Sequence, residues 1–518
     1  MTPERADAVV IGSGFGGSIT ACRLSQAGRS VVVLERGRRY RPQDFPRDVT
    51  NIDALFWRPK RPRRAIGLYD VRFFSALGCV VAAGLGGGSL IYANIHIRPD
   101  AIIFDDPRWP DGTNRASLEC YYDRVAAMLK VAPMPRSVPL LKRDIFHDAA
   151  SYLGRQVFEP DEAVHWPSDP SAELQPGGTC RFVAECEFGC RFGAKRTVDR
   201  TYLAEAEDLG AQVRPGRLVV ALRQVTSGYE VVHRDVVTGA EEVTVGRRVV
   251  VAAGTLGTNE LLLRARDSLP RLSPMLGHGF SANGDFLGSI HKANMDIAPN
   301  HGPDVTSVMR FFDQAPEFTL AAPTFNEPVM KALASMGQPS ARVLRPIAPL
   351  LWRLMPRVLP WLFAHAWLSK PLTYLAPGEL DWRRSTILFA IGRDNAGGRL
   401  QLTRCGLNVS WEYRSENAAL IDRMQQAMAQ VAAVYGGSFA PIVTWNAFRR
   451  IFSVHPLGGC RLSTGPAQGV VSSHGEVHGY PGLFVADGSV VPTAIGFHPA
   501  MTISALAERT AEAVVASY

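Results

Sequence analysis

The chain predicts an α/β fold, a doubly wound and mostly parallel sheet, interrupted by a second unit of different texture. Three observations predict it. First, the apolar run Ala8–Ile11 passes directly into Gly12-Ser-Gly14-Phe-Gly16-Gly17, then a helical pattern through Leu24, then a second apolar run over Ser30–Leu34. That is a strand, a glycine turn, a helix and a parallel strand. Second, two further apolar runs end in glycine turns, Val249 to Gly254 and Leu483 to Gly488. Third, residues 277–449 have few such turns and are richer in aromatics and prolines, after which the first texture resumes. The expected organisation is a nucleotide domain over 1–276, with an irregular, proline-containing insertion at about 132–194, a substrate domain over 277–449, and a return to the first domain over 450–518. Within the first domain, Leu118–Val131 and Asp199–Leu209 read as helices. Val213–His233 and Glu241–Val251 read as strands, and Arg36–Arg64 as a basic loop.

The 518 residues suffice for two or more domains, and 46% hydrophobic with 20% charged residues excludes broad disorder. A net charge of +8 is compatible with a solvated surface, or with attraction to anionic lipid or an acidic partner. No zinc finger, RNA-recognition signature or basic helical region accompanies it, so nucleic acid is not an expected partner. Most of the eight cysteines stand singly, which opposes a disulfide framework. The first apolar run is strand-sized and continues into the glycine motif, so it reads as structure and not as a signal peptide. A cytoplasmic location is the expectation.

The G-x-G-x-x-G pattern between a strand and a helix is the Rossmann-type fingerprint. Gly12 permits the tight turn, Gly14 lets a diphosphate approach the backbone, and the third glycine of the pattern, Gly17, lets helix and strand pack closely. Free N–H groups at the helix N-terminus attract the phosphates. Glu35 ends the second strand, where a carboxylate accepts hydrogen bonds from ribose hydroxyls and repels a 2′-phosphate. This motif alone does not separate FAD from NAD. A second glycine loop, Gly84-Leu-Gly86-Gly87-Gly88-Ser89, the Gly254 turn and the Asp487-Gly488 turn favour FAD, because a carboxylate at such a strand end suits a ribityl hydroxyl that NAD lacks. Asn94 is a flavin or diphosphate contact, or an ordinary loop asparagine.

Two histidines stand out near the other end. His455 lies in a His-Pro-Leu-Gly-Gly turn, and His498 stands at the entry to a helix, with Asp487 between them. An alcohol becomes a hydride donor when its hydroxyl proton is removed as the C–H bond breaks, and a neutral imidazole with a pKa of about 6.5 suits that transfer. His455 is the expected base and His498 its partner; the reverse assignment stays open, as does a structural role in turns. His96, His474 and His478 receive no role from spacing.

The segments GSGFGGS, GLGGGSLIYAN, GAKRT, VVAAGTLGTNELLLRAR, GFSANGDFLG, HPLGGC and ADGSVVP through SALAER, in this order, resemble the glucose–methanol–choline (GMC) oxidoreductase family and its cholesterol-oxidase-like branch. The likeness is loose over 280–445. It implies FAD, a substrate domain on an antiparallel sheet (an inserted α+β unit), and hydride transfer from an alcohol carbon to flavin N5. His455 and His498 fall on the family's two active-site positions. Cholesterol oxidases generally carry Asn at the second; His is the choice of many other alcohol-oxidising members. The cofactor contacts would include Gly12, Gly14, Phe15, Gly16, Gly17 and Glu35 at one end. Gly86, Gly87, Gly88, Ser89, Asn94, Val219 and Gly254 follow in the middle, and Asp487, Gly488 and Pro499 at the other end. Some cholesterol oxidases use a substrate-domain carboxylate for sterol isomerisation; Glu317 and Glu327 lie in that region in unmatched surroundings.

Cys180, Cys186 and Cys190 form a C-x5-C-x3-C cluster that fits no ferredoxin pattern. No metal is expected, with an iron–sulfur cluster as the minor alternative to a disulfide or plain packing. Residues 342–370, rich in Leu, Trp, Phe, Pro and Arg, are too proline-broken and charged to span a bilayer. They suit either peripheral membrane contact, aided by the basic run at 57–64, or a helical lid. The expected substrate is an apolar alcohol (a sterol, terpenoid or long-chain alcohol), with oxygen or an electron carrier taking the electrons. The alternatives are a lyase or decarboxylase on the same fold, or a binding protein that keeps FAD structurally.

Overall fold

The computed structural model describes residues 4–47, 51–58, 65–167, 178–327, 329–330, 345–355 and 381–518. Five parallel strands form the nucleotide sheet in the order Gln212–Pro215, Val31–Glu35, Glu4–Ile11, Glu241–Val251, Leu483–Val485. Val31–Glu35 is buried throughout and Glu4–Ile11 over its last four residues, because helices and loops cover both faces of a parallel sheet. Ile11 pairs with Leu34 on one side and Val251 on the other, so three strands end at one level. Strand order reverses at the first strand, and that is where open α/β sheets hold their ligands. The long Glu241–Val251 strand also starts an antiparallel meander with Gly228–Asp235 and Arg217–Val225.

The helix Phe15–Gln26 follows the fingerprint and buries Gly16, Gly17, Ile19, Ala21, Cys22 and Leu24. Gly28, at φ +70°, lies just beyond its end. It packs against Ala500–Ala516 and Tyr202–Asp208. Arg23 donates two bonds, 2.8 and 2.7 Å, to the buried Glu508 carboxylate, which also accepts the Tyr202 hydroxyl at 2.8 Å.

The second sheet is antiparallel, ordered Ser438–Pro441, Phe286–His291, Thr386–Gly392, Phe318–Ala321, Val308–Phe311, Val157–Phe158. Helix Ala418–Val434 supplies its core with Leu420, Ile421, Met424, Met428 and Val431, an apolar stripe at helical spacing.

The stretch expected to be irregular at 132–194 is not uniformly so. Leu141–Tyr152 is a helix that buries Lys142, Ile145, Phe146, Ala149 and Ala150. Prolines 133, 135 and 139 all precede it and leave its interior unbroken. The Lys142 ammonium survives burial by donating to Asp304 O at 2.8 Å and Ala322 O at 3.0 Å. Val157 and Phe158 pair with Met309 and Val308, so this stretch supplies an edge strand of the antiparallel sheet.

Of the segment 342–370, residues 342–344 and 356–370 lie outside the described residues, as do 59–64 of the basic run. Residues 348–355 are helical. Trp352 and Ala348 pack against Phe448, and the Trp352 indole donates to Phe74 O at 2.8 Å. Ile347 and Leu350 remain 51% and 61% exposed. Among the described residues no helix is long and apolar enough to cross a membrane.

Candidate active site

The glycines of the two loops divide by what their missing side chains would meet. A Cβ on Gly12 would lie 2.3 Å from Ala252 O, on Gly16 1.4 Å from Ala486 O, and on Gly17 2.0 Å from Gly12 O. Those three are demanded by the chain's own packing. A Cβ on Gly14 would meet nothing nearer than Gly87 Cα at 3.9 Å. Gly87, at φ +52°, faces it, and a Cβ there would lie 2.6 Å from Gly14 Cα. The first and second glycine loops therefore meet backbone to backbone beside the N-terminus of Phe15–Gln26, whose leading N–H groups have no intrahelical acceptor. A cradle of this kind suits an anion.

Glu35 is buried against the cradle. One carboxylate oxygen accepts Ser13 N–H (3.1 Å) and the Ser13 hydroxyl (2.7 Å), and the other accepts Gly37 N–H (2.7 Å). Ser13 Oγ in turn accepts Gly86 N–H at 3.1 Å, which ties both loops to the second strand's end. Val219 stands at a bulge in Arg217–Val225, and Gly216 N–H donates to Gly37 O at 2.9 Å, so that strand begins beside the loop after Glu35.

Ser89 is committed within its loop, donating to Gly86 O (2.8 Å) and accepting Val198 N–H (3.1 Å). Asn94 differs. It is 0% exposed at φ +68°, and neither its amide oxygen nor its amide nitrogen has a partner in the chain. Buried amides left this way cost about 1–3 kcal/mol per group, so the side chain is suited to a ligand. His96, given no role by spacing, is also buried. Its Nε2 lies 3.1 Å from the Tyr92 hydroxyl, its Nδ1 has no partner, and burial holds its pKa down at about 3. Tyr92 stands edge-on to Phe15 at 5.4 Å.

Asp487, assigned by sequence to a ribityl hydroxyl, spends its oxygens on chain donors: Ser489 N–H at 2.8 Å and the Thr258 hydroxyl at 2.5 Å. Burial raises its pKa against those bonds. Gly254, at φ +73° with open space around it, begins the helix Gly254–Arg264. A Cβ on Gly488 would press on Thr255 Oγ1 at 2.9 Å, so that glycine serves packing. Pro499 caps the helix Ala500–Ala516 directly after His498.

The two histidines meet. The His455 and His498 rings lie 5.5 Å apart at 79°, and Phe389 touches both, stacked on His455 at 5.7 Å and edge-on to His498 at 6.4 Å. His498 is 6% exposed, its Nδ1 is unpartnered, and burial together with the neighbouring His455 drives its pKa well below the usual histidine value. It stays a neutral imidazole. His455 Nδ1 lies 2.9 Å from Asp285 Oδ1.

Sequence reasoning missed Asp285, Asn283 and Phe389. The two polar residues lie in the GFSANGDFLG segment, which carried only a family likeness. Glu317, considered for isomerisation, pairs with Arg393 at 3.4 Å. His474 is exposed, and His478 lies 3.0 Å from the Ser463 hydroxyl. All eight cysteines are free thiols, and among the described residues no group of three or more His, Cys, Asp or Glu side chains is disposed to hold a metal. Cys180, Cys186 and Cys190 are thus not gathered as cluster ligands. Cys186 contributes its carbonyl to Lys195, whose ammonium also donates to Leu90 O and Tyr92 O behind the second glycine loop.

Two glycine loops meeting at a helix N-terminus, a buried carboxylate at the end of the second strand, an orphaned buried amide and two imidazoles side by side fit FAD and the class of flavin-dependent oxidoreductases. The chain belongs to the GMC oxidoreductase family, whose N-terminal and C-terminal descriptions match residues 7–267 and 409–507. It is 30% identical to a cholesterol oxidase of Mycobacterium tuberculosis, over 99% of this chain and 91% of that one. It is 28% identical to a cholesterol oxidase of Acinetobacter baumannii, over 99% and 95%. Pyridoxine 4-oxidase from Mesorbium loti shares the fold at a TM-score of 0.64, with 15% identity over 98% of both chains. The protein is an FAD-dependent oxidoreductase acting on the CH–OH group of alcohols.

Proposed function

We propose that the protein oxidises an apolar alcohol, a sterol, terpenoid or long-chain alcohol, with His455 as base. The observation that carries this reading is the His455–His498 pair, walled by Phe389, with Asp285 on His455 Nδ1. FAD, when bound, supplies a hydride acceptor at N5. His455 takes the hydroxyl proton as the substrate C–H bond breaks, and general-base help of this kind contributes about 10²–10⁴-fold. His498, kept neutral by burial, holds the hydroxyl without adding a competing charge. Phe389 keeps water from the imidazoles and offers an apolar surface to the substrate. The likeness to two cholesterol oxidases supports a bulky apolar substrate and oxygen as electron acceptor, with an electron carrier as the other candidate. Asn94, Glu35 and the two glycine loops would hold the cofactor, with Asp487 and Pro499 shaping the opposite wall. The exposed Ile347 and Leu350 support peripheral membrane contact as the source of such a substrate, beside a cytoplasmic location.

The test is anaerobic flavin bleaching by cholesterol, geraniol and 1-dodecanol, with glucose and ethanol as polar controls. Bleaching by the apolar set alone is expected, and His455→Ala should slow it by about 10²–10⁴-fold. Faster bleaching by glucose, or an undiminished His455→Ala rate, overturns the reading.

A further inference from the structure

We propose that the turn Ser281–Asp285 is the positioning element of the proton-transfer site: Asp285 holds His455 with its proton on Nδ1, and Asn283 sets the loop that delivers His498. This rests on the reading of His455 as the base and specifies how that base is kept ready.

Asp285 is 0% exposed. Its Oδ2 accepts Val454 N–H at 2.8 Å and His455 N–H at 3.1 Å, with the Ser453 hydroxyl also 3.1 Å away. Those donors fill one oxygen and leave Oδ1 facing His455 Nδ1. An ionised carboxylate only accepts, so the ring donates from Nδ1 and its Nε2 carries the lone pair. That is the tautomer a base needs. Stacking on Phe389 at an interplanar angle of 23° fixes the ring plane as well.

Asn283, two residues earlier, acts on the other imidazole's loop. It is fully buried at φ +51°, a region that side-chain-bearing residues rarely adopt. Its amide nitrogen donates to Phe497 O at 2.8 Å, and its amide oxygen accepts Ile495 N–H at 2.9 Å and Gly496 N–H at 3.1 Å. Every polar atom of the side chain thus grips the loop that ends in His498. The turn itself is pinned by the buried Asp394, which accepts Ala282 N–H (3.0 Å), Gly284 N–H (2.9 Å) and the Ser281 hydroxyl (2.7 Å). A Cβ on Gly284 would lie 2.4 Å from Gly392 O, so the turn is wedged against the end of the strand that carries Phe389. His455, His498 and Phe389 come from three separate segments, and one five-residue turn bonds to or packs against each. Geometry of this kind matters because a misplacement of about 1 Å can cost about 10²-fold in rate.

Asp285→Asn tests the first half in the FAD-loaded enzyme. An amide has one acceptor and one donor end. Its oxygen must face Val454 and His455 N–H, which turns its NH2 toward Nδ1 and forces the proton onto Nε2. With 1-dodecanol or cholesterol, anaerobic flavin reduction should fall by about 10²–10⁴-fold while substrate Kd stays within about threefold and the flavin spectrum is unchanged. Nitrogen-15 NMR of histidine-labelled wild type, assigned by loss of the resonance in His455→Ala, should find the proton on Nδ1, a measurement that needs no foldable Asp285 variant. Asn283→Ala should slow reduction about 10²-fold with the His455 tautomer unchanged. A wild-type proton on Nε2, a wild-type rate in Asp285→Asn, or a wild-type rate in Asn283→Ala overturns the proposal. If His455→Ala itself reduces normally, it is the base assignment that has failed; if His455→Ala is inactive and Asp285→Asn is not, only the positioning role has.

Discussion

Replacing Gly14 with alanine adds one methyl group at a place the chain leaves open. Gly14 has φ −69°, which any residue can adopt, and the added carbon meets only Gly87 Cα at 3.9 Å. In the apoprotein the substitution should be neutral or stabilising, by about 0.4–1 kcal/mol through the unfolded state. In the holoprotein the same methyl points at the cradle between the two glycine loops. Overpacking of that size costs about 1–3 kcal/mol. Converted at about 1.4 kcal/mol per decade, FAD should bind about 5- to 150-fold more weakly. Gly16→Ala is the contrast, because its Cβ would lie 1.4 Å from Ala486 O and must move backbone whether or not FAD is present. Titration of apoprotein with FAD, followed by quenching of flavin fluorescence, measures the first effect; thermal melts of the apoproteins measure the second. An unchanged FAD affinity in Gly14→Ala, or an apoprotein melting point lowered as far as that of Gly16→Ala, refutes the division of the glycines drawn above.

Two further outcomes are expected. His498 has its folded pKa driven down by burial, so as pH falls through about 6.5 the unfolded chain gains a proton that the folded chain refuses. Stability should then fall by up to about 1.4 kcal/mol per pH unit from this group, and His498→Asn should remove that slope in urea titrations between about pH 7.5 and about pH 5. Burial pushes the Asp70 carboxyl up, but Arg72 and Arg36 outweigh it and hold it at about 2, through bonds of 2.9 and 2.7 Å. Asp70→Asn would leave both guanidiniums under-paired and should cost about 3–5 kcal/mol in denaturant titration. The stability that this carboxylate contributes in wild type should disappear as pH falls from about 3.9 through about 2.

Much of the nucleotide sheet was legible because local pattern decides it. Ala8–Ile11 and Ser30–Leu34 are continuous apolar runs, and the turn after each strand needs glycine for reasons visible in the fingerprint itself. That His455 and His498 would lie together was legible from the conspicuous turns they occupy, and their rings do meet. Asp285 was not, since a carboxylate 170 positions from His455 has no local signature, and the two meet only where Ser281 bridges Leu457 in the folded chain. Asn94 stood open between a flavin or diphosphate contact and an ordinary loop asparagine, and its side-chain amide is buried without a partner in the chain. Asp487, expected at a strand end to meet a ligand, accepts Ser489 N–H on one oxygen and the Thr258 hydroxyl on the other, and each oxygen keeps a further lone pair. The helix Leu141–Tyr152 was hidden by the prolines around it, which obscured a short apolar stripe that tertiary packing completes.

The fit of Gly16 against Ala486 has a consequence for biosynthesis. The helix Phe15–Gln26 completes its packing only with a strand and a helix made more than four hundred residues later, where Gly16 meets Ala486 and Arg23 bonds Glu508. During synthesis the face of that helix carrying Gly16 and Arg23 therefore stays uncovered until those later residues have been made.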